Sequence, residues 1–339
     1  MKKLLTLVIF FIFNITNAQI VDFKNIDFTK ADNIAKLNKG EGLHNLPLLS
    51  YKLTSKLPTK VEKFRAIYTW VCANISGDIK QHDKISRARK KLKNDSTALV
   101  KWNNEYKKKA FKKLLKYNKT MCTGYAYLIK ELAFLADIEC KIIDGYGRTV
   151  NSNIDTLETA NHSWNAVKLN NKWYLCDATW SSGYMDENYR FIKDYNDGYF
   201  LTNPILFAKN HYPLQKKWLL NKVTTNITFL DSPLVYGEVF KYKIINLTPS
   251  KMNVEVQKNE EVNFNFKALK NISTNKVSLI YYLGNKEIFL NIYNIKNEKG
   301  IVTFKNKFKW KGFYDVHLKI QDDIVATYSI KVTEHKEKI

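Results

Sequence analysis

Proline and glycine are scarce, at 6 and 12 of 339 residues, which excludes a collagen-like or linker-rich chain. The four cysteines, at positions 72, 122, 140 and 176, are too few for a disulfide scaffold, and no Cys-x-x-Cys pair occurs. Zinc ribbons and thioredoxin-type redox centres are thereby removed. Acidic residues are outnumbered, 32 Asp+Glu against 55 Lys+Arg, for a formal net charge of +23. Beyond the N-terminus no run approaches the roughly eighteen apolar residues that a membrane-spanning helix needs. What is present is 45% apolar and 14% aromatic, enough to build real cores and to exclude wholesale disorder. The length suggests two domains.

The first residues have the grammar of an export signal. Met1-Lys2-Lys3 precedes an apolar run from Leu4 to Phe13, and Ala18 is a small residue at the exit. The expectation is a cleavable signal peptide over residues 1–19. No cysteine lies near its end, so no lipoprotein anchor is expected, and the mature chain reads as secreted or periplasmic, without a transmembrane anchor.

Residues 58–78 read as a helix with a buried stripe of Val61, Phe64, Ile67, Tyr68, Val71 and Ile75. Thr59 and Glu62 suggest a capping box, Gly77 a stop. Cys72 lies beside that stripe as a structural thiol. Residues 84–119 hold 14 Lys+Arg and only Asp95 and Glu105 as acids, a local net charge of +12. Trp102, Tyr106, Ala110, Phe111, Leu114 and Leu115 recur there at helical spacing, so one face docks and the other stays basic. That basic face reads as solvated, or more sharply as a landing strip for an anionic polymer or surface. Nucleic acid fits poorly, since no recognition motif is found. From Thr224 onward short β-type runs follow one another, among them Ile227-Thr-Phe, Val239 to Ile245, Phe264-Asn-Phe and Phe313 to Ile320. They suggest an all-β sandwich with a supporting or binding role.

Three segments carry chemistry. In Met121-Cys122-Thr-Gly124-Tyr125-Ala, followed by apolar residues to Ala136, Cys122 falls at a helix start, where free N–H groups stabilise a thiolate. Gly124 allows a close approach of backbone or substrate. The strands Asn161-His162-Ser-Trp-Asn-Ala-Val and Trp173-Tyr-Leu-Cys-Asp177-Ala-Thr-Trp180 flank Asn170-Asn171, a two-residue hairpin turn. In that register position i faces 341−i, so His162 lies opposite Thr179 and diagonal to Asp177. A carboxylate on an apolar strand needs a partner, and His162 is the natural one. Asp orienting His, and His facing a thiolate, is the arrangement of a nucleophilic triad. A buried structural cysteine beside a structural His–Asp pair is the alternative reading. Cys176 points to the opposite face, as core.

These three motifs, with Lys63-Phe-Arg-Ala-Ile-Tyr-Thr-Trp-Val upstream, resemble the transglutaminase-like superfamily, and within it exported bacterial proteins related to kyphoscoliosis peptidase. His211-Tyr-Pro and Trp218-Leu-Leu look like that group's trailing segment. The resemblance covers roughly residues 20–220. It implies an α+β, papain-like fold over residues 20–222, followed by an immunoglobulin-like all-β sandwich over 223–339. It also implies a Cys122–His162–Asp177 triad acting on protein or peptide substrates by acyl transfer, with no cofactor. Asn74-Ile-Ser-Gly-Asp78 departs from the family's Asn-Ile-x-Tyr-Asp, which leaves the cleft wall undefined. Trp180, Tyr125 and Gly124 are candidates to border the cleft. Asp194 to Gly198 lacks the closing Glu of a calcium loop, so no metal is expected. Asn74-Ile-Ser and Asn161-His-Ser are glycosylation sequons, and a glycan at Asn161 would obstruct His162. Their expected disuse suits a bacterial source. Hydrolysis, amine transfer on the same triad, and a binding scaffold without turnover all remain compatible with these residues.

Overall fold

A computed structural model describes residues 22–334 other than 150–153, 155, 187 and 189. The expected signal peptide, residues 1–19, lies outside the described residues.

The chain begins with α1 (Thr29–Leu37), α2 (Leu46–Thr54) and α3 (Lys60–Asn74). The Thr59 side chain accepts from the Glu62 N–H and the Glu62 side chain from the Thr59 N–H, so two otherwise orphaned donors are satisfied. The anticipated stripe from Val61 to Val71, and Ile75 beyond it, is fully buried. The helix ends at Asn74 and not at Gly77, because Ile75 turns extended and Ser76–Gly77 forms a short strand, β1. The basic segment makes two helices, α4 (Ile79–Lys91) and α5 (Ser96–Tyr117), capped by the Asp78 and Asp95 carboxylates. Leu114 is buried and Trp102, Tyr106, Ala110 and Phe111 are half-buried, whereas Leu115 is exposed. Asn118, in the left-handed region, ends α5, and β2 (Lys119–Thr120) runs parallel beside β1. The chain therefore leaves and re-enters the core at one place, and α4–α5 is an excursion rooted beside the next helix.

That helix, α6 (Cys122–Leu135), is central. Leu128, Ile129, Leu132 and Ala133 pack in one core with Ile67 and Val71 of α3. After it come β3 (Cys140–Gly147), β4 (His162–Leu169), β5 (Lys172–Cys176), α7 (Ala178–Ser182), the ribbon β6 (Gly183–Met185) and β7 (Phe191–Lys193), α8 (Pro204–Phe207) and β8 (His211–Pro213). An antiparallel sheet in the order β5-β4-β3-β8 packs on α6. Asn170 and Asn171 are both left-handed, at φ 48 and 62, as a tight hairpin turn needs. The expected register holds from Leu169 opposite Lys172 to Asn165 opposite Cys176. There it stops. Asp177 caps α7, so Thr179 sits on a helix and not opposite His162.

The remainder comprises α9 (Asn226–Asp231), β9 (Leu234–Val235), α10 (Gly237–Tyr242), β10 (Ile244–Thr248), β11 (Asn253–Gln257), β12 (Glu261–Ala268), β13 (Val277–Leu283), β14 (Lys286–Phe289), β15 (Tyr293–Glu298), β16 (Ile301–Lys307), β17 (Gly312–Ile320) and β18 (Asp323–Thr333). One sheet runs β10-β12-β16-β15; the other runs β11-β18-β17-β13-β14, with β9 also on β18. Phe264, Phe266, Val302 and Phe304 of the first pack with Val316, Leu318, Tyr328 and Ile330 of the second. This is an immunoglobulin-like sandwich. Two segments expected as strands, around Ile227 and Val239, are short helices instead, because a Thr225–Thr228 capping box starts α9 and left-handed Lys243 stops α10. Apolar runs this short carry no period that separates strand from helix.

The two halves share a core. Tyr199 stacks on Phe240 with ring centroids 4.1 Å apart, and Asn196 donates to the Gly237 carbonyl at 2.7 Å. The buried Arg148 guanidinium donates to the Phe229 and Ser232 carbonyls at 2.6 and 3.0 Å.

Candidate active site

Cys122 is the first residue of α6, and Met121 before it is extended, so the thiol sits at the positive end of the helix. Gln81 near the start of α4 accepts the Met121 N–H at 3.0 Å, which ties the basic excursion to the residue before the thiol. His162 opens β4 and Asp177 follows the last residue of β5; the hairpin brings His162 Nε2 to 2.8 Å from Asp177 Oδ2. With Nε2 so engaged, Nδ1 is the ring nitrogen left for the thiol. All three residues are buried.

Asp177 is held at both oxygens. Oδ1 accepts the Thr179 and Trp180 N–H groups at 2.8 and 3.4 Å, as the cap of α7. Oδ2 faces two imidazoles, His162 at 2.8 Å and His211 of β8 at 3.2 Å. His211 is buried and its Nδ1 lies 2.7 Å from Asn210 Oδ1. Trp180 lies flat on His162, with centroids 4.4 Å apart and planes at 14°. Gly147 permits this, because a Cβ there would come within 3.0 Å of the Trp180 ring and 3.1 Å of His162 Cβ.

The electrostatics follow. Burial opposes a thiolate at Cys122, but the hydrogen bond and charge of His162, then Arg89 of α4, outweigh it and lower the thiol below its ordinary value. Burial likewise opposes a charged His162; the Asp177 carboxylate, joined by Cys122, nevertheless lifts it to about 10. Asp177, although desolvated, is held well below the usual carboxylate range by His162 and His211. Burial pushes His211 down to about 4, against the pull of Asp177. The other thiols go the opposite way: desolvation raises Cys72 and Cys140 to about 12 and Cys176 well above the ordinary thiol range. One of four cysteines is thus electrostatically distinct.

Of the residues expected to border the cleft, Trp180 is half-buried against His162. Tyr125 is not at the cleft: it is buried in the helical core and its hydroxyl donates to the Ile75 carbonyl at 2.9 Å. Gly124 answers to packing rather than to an open approach, since a Cβ there would lie 1.9 Å from Thr120 Oγ1. His211, Asn210, Gln81 and Gly147 went unrecognised as site residues in the sequence. His211-Tyr-Pro was the one available signal, and nothing in it linked that histidine to Asp177. The sequon amides are both engaged: Asn161 bonds the Gly147 N–H and carbonyl at 2.6 and 2.9 Å, and Asn74 bonds Gly40 and Trp70.

The donor atoms of His162, Asp177 and His211 lie within 4.8 Å of one another, the sole grouping among the described residues that could hold a metal ion. Their contacts of 2.8 and 3.2 Å to Oδ2 are hydrogen-bond lengths. A tetrahedral zinc would set its nitrogen and oxygen ligands about 3.3 Å apart. Hydrogen bonding accounts for the cluster as it stands.

A family model described as the transglutaminase-like superfamily matches residues 48–178. Kyphoscoliosis peptidase of Homo sapiens is 31% identical over 202 residues, which cover 56% of this chain and 26% of that protein. Hillarin of Drosophila melanogaster is 25% identical over 232 residues, 64% of this chain and 26% of that protein. The chain thus spans about a quarter of the length of these curated relatives. Among solved structures, the Lin-41 filamin domain aligns with 26% of this chain and 89% of its own, at 10% identity and a TM-score of 0.21. The family match over residues 48–178 thus takes in the helix that carries Cys122 and the hairpin that joins His162 to Asp177, and in this stretch the chain is similar to the transglutaminase-like superfamily.

Proposed function

We propose that the protein is an exported cysteine-dependent acyl-transfer enzyme, a peptidase or amidase acting on protein or peptide through a thioester. One observation carries the reading: the one depressed thiol faces the one imidazole raised among the described residues, which a buried carboxylate orients. In this reading Cys122 attacks the carbonyl carbon, and His162 gives its proton to the departing amine. Water, activated by the same imidazole, then releases the acyl group. The Cys122 backbone N–H, at the first turn of α6, is one donor to the oxyanion. The catalytic part is residues 20–222, and the sandwich, residues 223–339, supports it. Amine transfer in place of hydrolysis uses the same three residues and differs in what reaches the thioester.

The Met1–Gln19 pattern supports secretion or periplasmic residence, and among the described residues no helix is long and apolar enough to cross a membrane. The basic face of residues 84–119 suits an anionic substrate or surface. Of its fourteen cations, Lys113 alone has a carboxylate partner among the described residues, Asp78. Arg89, in the same segment, acts electrostatically on Cys122.

The test is alkylation by iodoacetamide between about pH 5 and pH 9, read site by site by mass spectrometry. Selective labelling of Cys122 at the acid end, abolished in Cys122→Ala and slowed in His162→Ala, supports the reading and opens a screen of peptides and amine acceptors. Equal labelling of all four thiols, or none, sinks it and leaves a binding scaffold.

A further inference from the structure

Two imidazoles meet one carboxylate oxygen. Asp177 does not need His211 for its orientation, because Oδ1 is already fixed by the Thr179 and Trp180 N–H groups. It does not need it for a histidine partner either, because His162 is closer. Yet His211 is wholly buried and held from every side: its ring stacks on Phe207 at 3.9 Å and packs on Trp180 at 4.4 Å. A side chain so confined at Oδ2 competes there.

We propose that His211 is a positioning residue that takes a share of Asp177 Oδ2 and so limits how tightly Asp177 holds a proton on His162. A lone buried carboxylate would grip the imidazolium too hard for it to give its proton to a leaving group, since a general acid works best with a pKa near the working pH. A second N–H on the same oxygen spreads the negative charge and weakens that grip. The inference deepens the acyl-transfer reading and rests on it for its purpose, though the coupling itself exists without turnover.

The proposal takes His211 as the Nε2–H tautomer. Ionised Asp177 only accepts, and burial keeps His211 neutral near pH 7, so its one proton sits on Nε2. Nδ1 then requires a donor. The structure sets Asn210 Oδ1 2.7 Å from Nδ1 and Asn210 Nδ2 3.3 Å from the Tyr199 hydroxyl oxygen; in the proposed tautomer that amide is turned over, so that Nδ2 donates to Nδ1 and Tyr199 donates to Oδ1. The titratable groups facing His162 are Cys122 from α6, Asp177 at the cap of α7 and His211 from β8; Arg89 of α4 acts on Cys122.

The test is a nitrogen-15 NMR titration of the histidines in the full chain, without substrate. His211→Phe keeps a ring against Phe207 and Trp180 and removes the donor. His211→Met does the same in a compliant side chain, in case the ring variant fails to fold. His211→Gln restores a donor near the position of Nε2. The expected result is a His162 pKa raised by about one unit in the Phe or Met variant and near wild type in the Gln variant. A His162 titration that is unmoved, or lowered, in folded His211→Phe or His211→Met overturns the proposal. Failure of Cys122 labelling in wild type would sink the enzymatic reading and leave this titration readable, so the two failures are distinct.

Discussion

The indole of Trp180 lies nearly parallel to the imidazole of His162, with 4.4 Å between centroids and 14° between planes. An aromatic face over an imidazolium favours the charged form by about 0.5–2 kcal/mol. Trp180→Leu should therefore leave the fold intact and slow alkylation of Cys122 near pH 6.5 by about three- to tenfold, because the thiolate depends on a charged His162. An unchanged rate in a folded variant would show that the stacking is packing alone.

Replacing Asp177 by Asn separates charge from shape. Asn is as good a helix cap as Asp, so Oδ1 can still take the Thr179 and Trp180 N–H groups. The amide –NH2 then stands where Oδ2 stood and can only donate. Both imidazoles must present a bare Nε2 to it, which moves the His162 proton to Nδ1 and removes the base that Cys122 needs. Activity, or alkylation below pH 7, should fall on the order of 10²- to 10⁴-fold in the folded variant. A loss under tenfold would mean that the carboxylate does not set the tautomer.

The same pair writes a pH window into the stability. His162 is held above its ordinary value, up to about 10, so its contribution is complete below about 6.5 and is lost as pH rises through about 10. Asp177 is held below its ordinary value, so its contribution is present above about pH 4 and is lost as pH falls further. These are two edges of one interaction, not two energies to be added. The Tm difference between wild type and Asp177→Asn should be largest between about pH 5 and pH 7 and shrink on both sides. A difference that stays flat from about pH 3 to about pH 10 would rule out a charged pair.

Arg89 offers a test of the basic face that needs no substrate. Iodoacetate carries a negative charge and iodoacetamide does not, so the ratio of their rates at Cys122 reads the local potential. Arg89→Ala should lower that ratio about two- to fivefold at low salt, and added salt should lower it in wild type as well. A ratio indifferent to both would make the face a solvated surface with no bearing on the thiol.

How much of this was legible before the fold was seen depends on whether a feature is local. The capping box of α3, the buried stripe behind it, the start of α6 at Cys122 and the Asn170-Asn171 turn were all readable, because each is set by residues within one turn or one hairpin of each other. The meeting of His162 with Asp177 followed from the same turn. The register failed just beyond Cys176, where the Asp177 side chain found free N–H groups ahead of it and began a helix instead of continuing the strand. Ile227 and Val239 were misread as strands because their apolar runs are shorter than the period that would identify them.

The sequence by itself determined the triad-like trio, its family resemblance, the excess of positive charge at residues 84–119 and the change of texture near Thr224. Each is a matter of residue type and short spacing, which neighbours along the chain suffice to express. Only the tertiary structure decided that β8 delivers His211 to Asp177, that Tyr125 and Gly124 serve packing, and that Phe240 of the sandwich stacks on Tyr199 beneath the site. Those contacts join residues far apart in the chain, and burial in a shared core, which no local pattern encodes, brings them together.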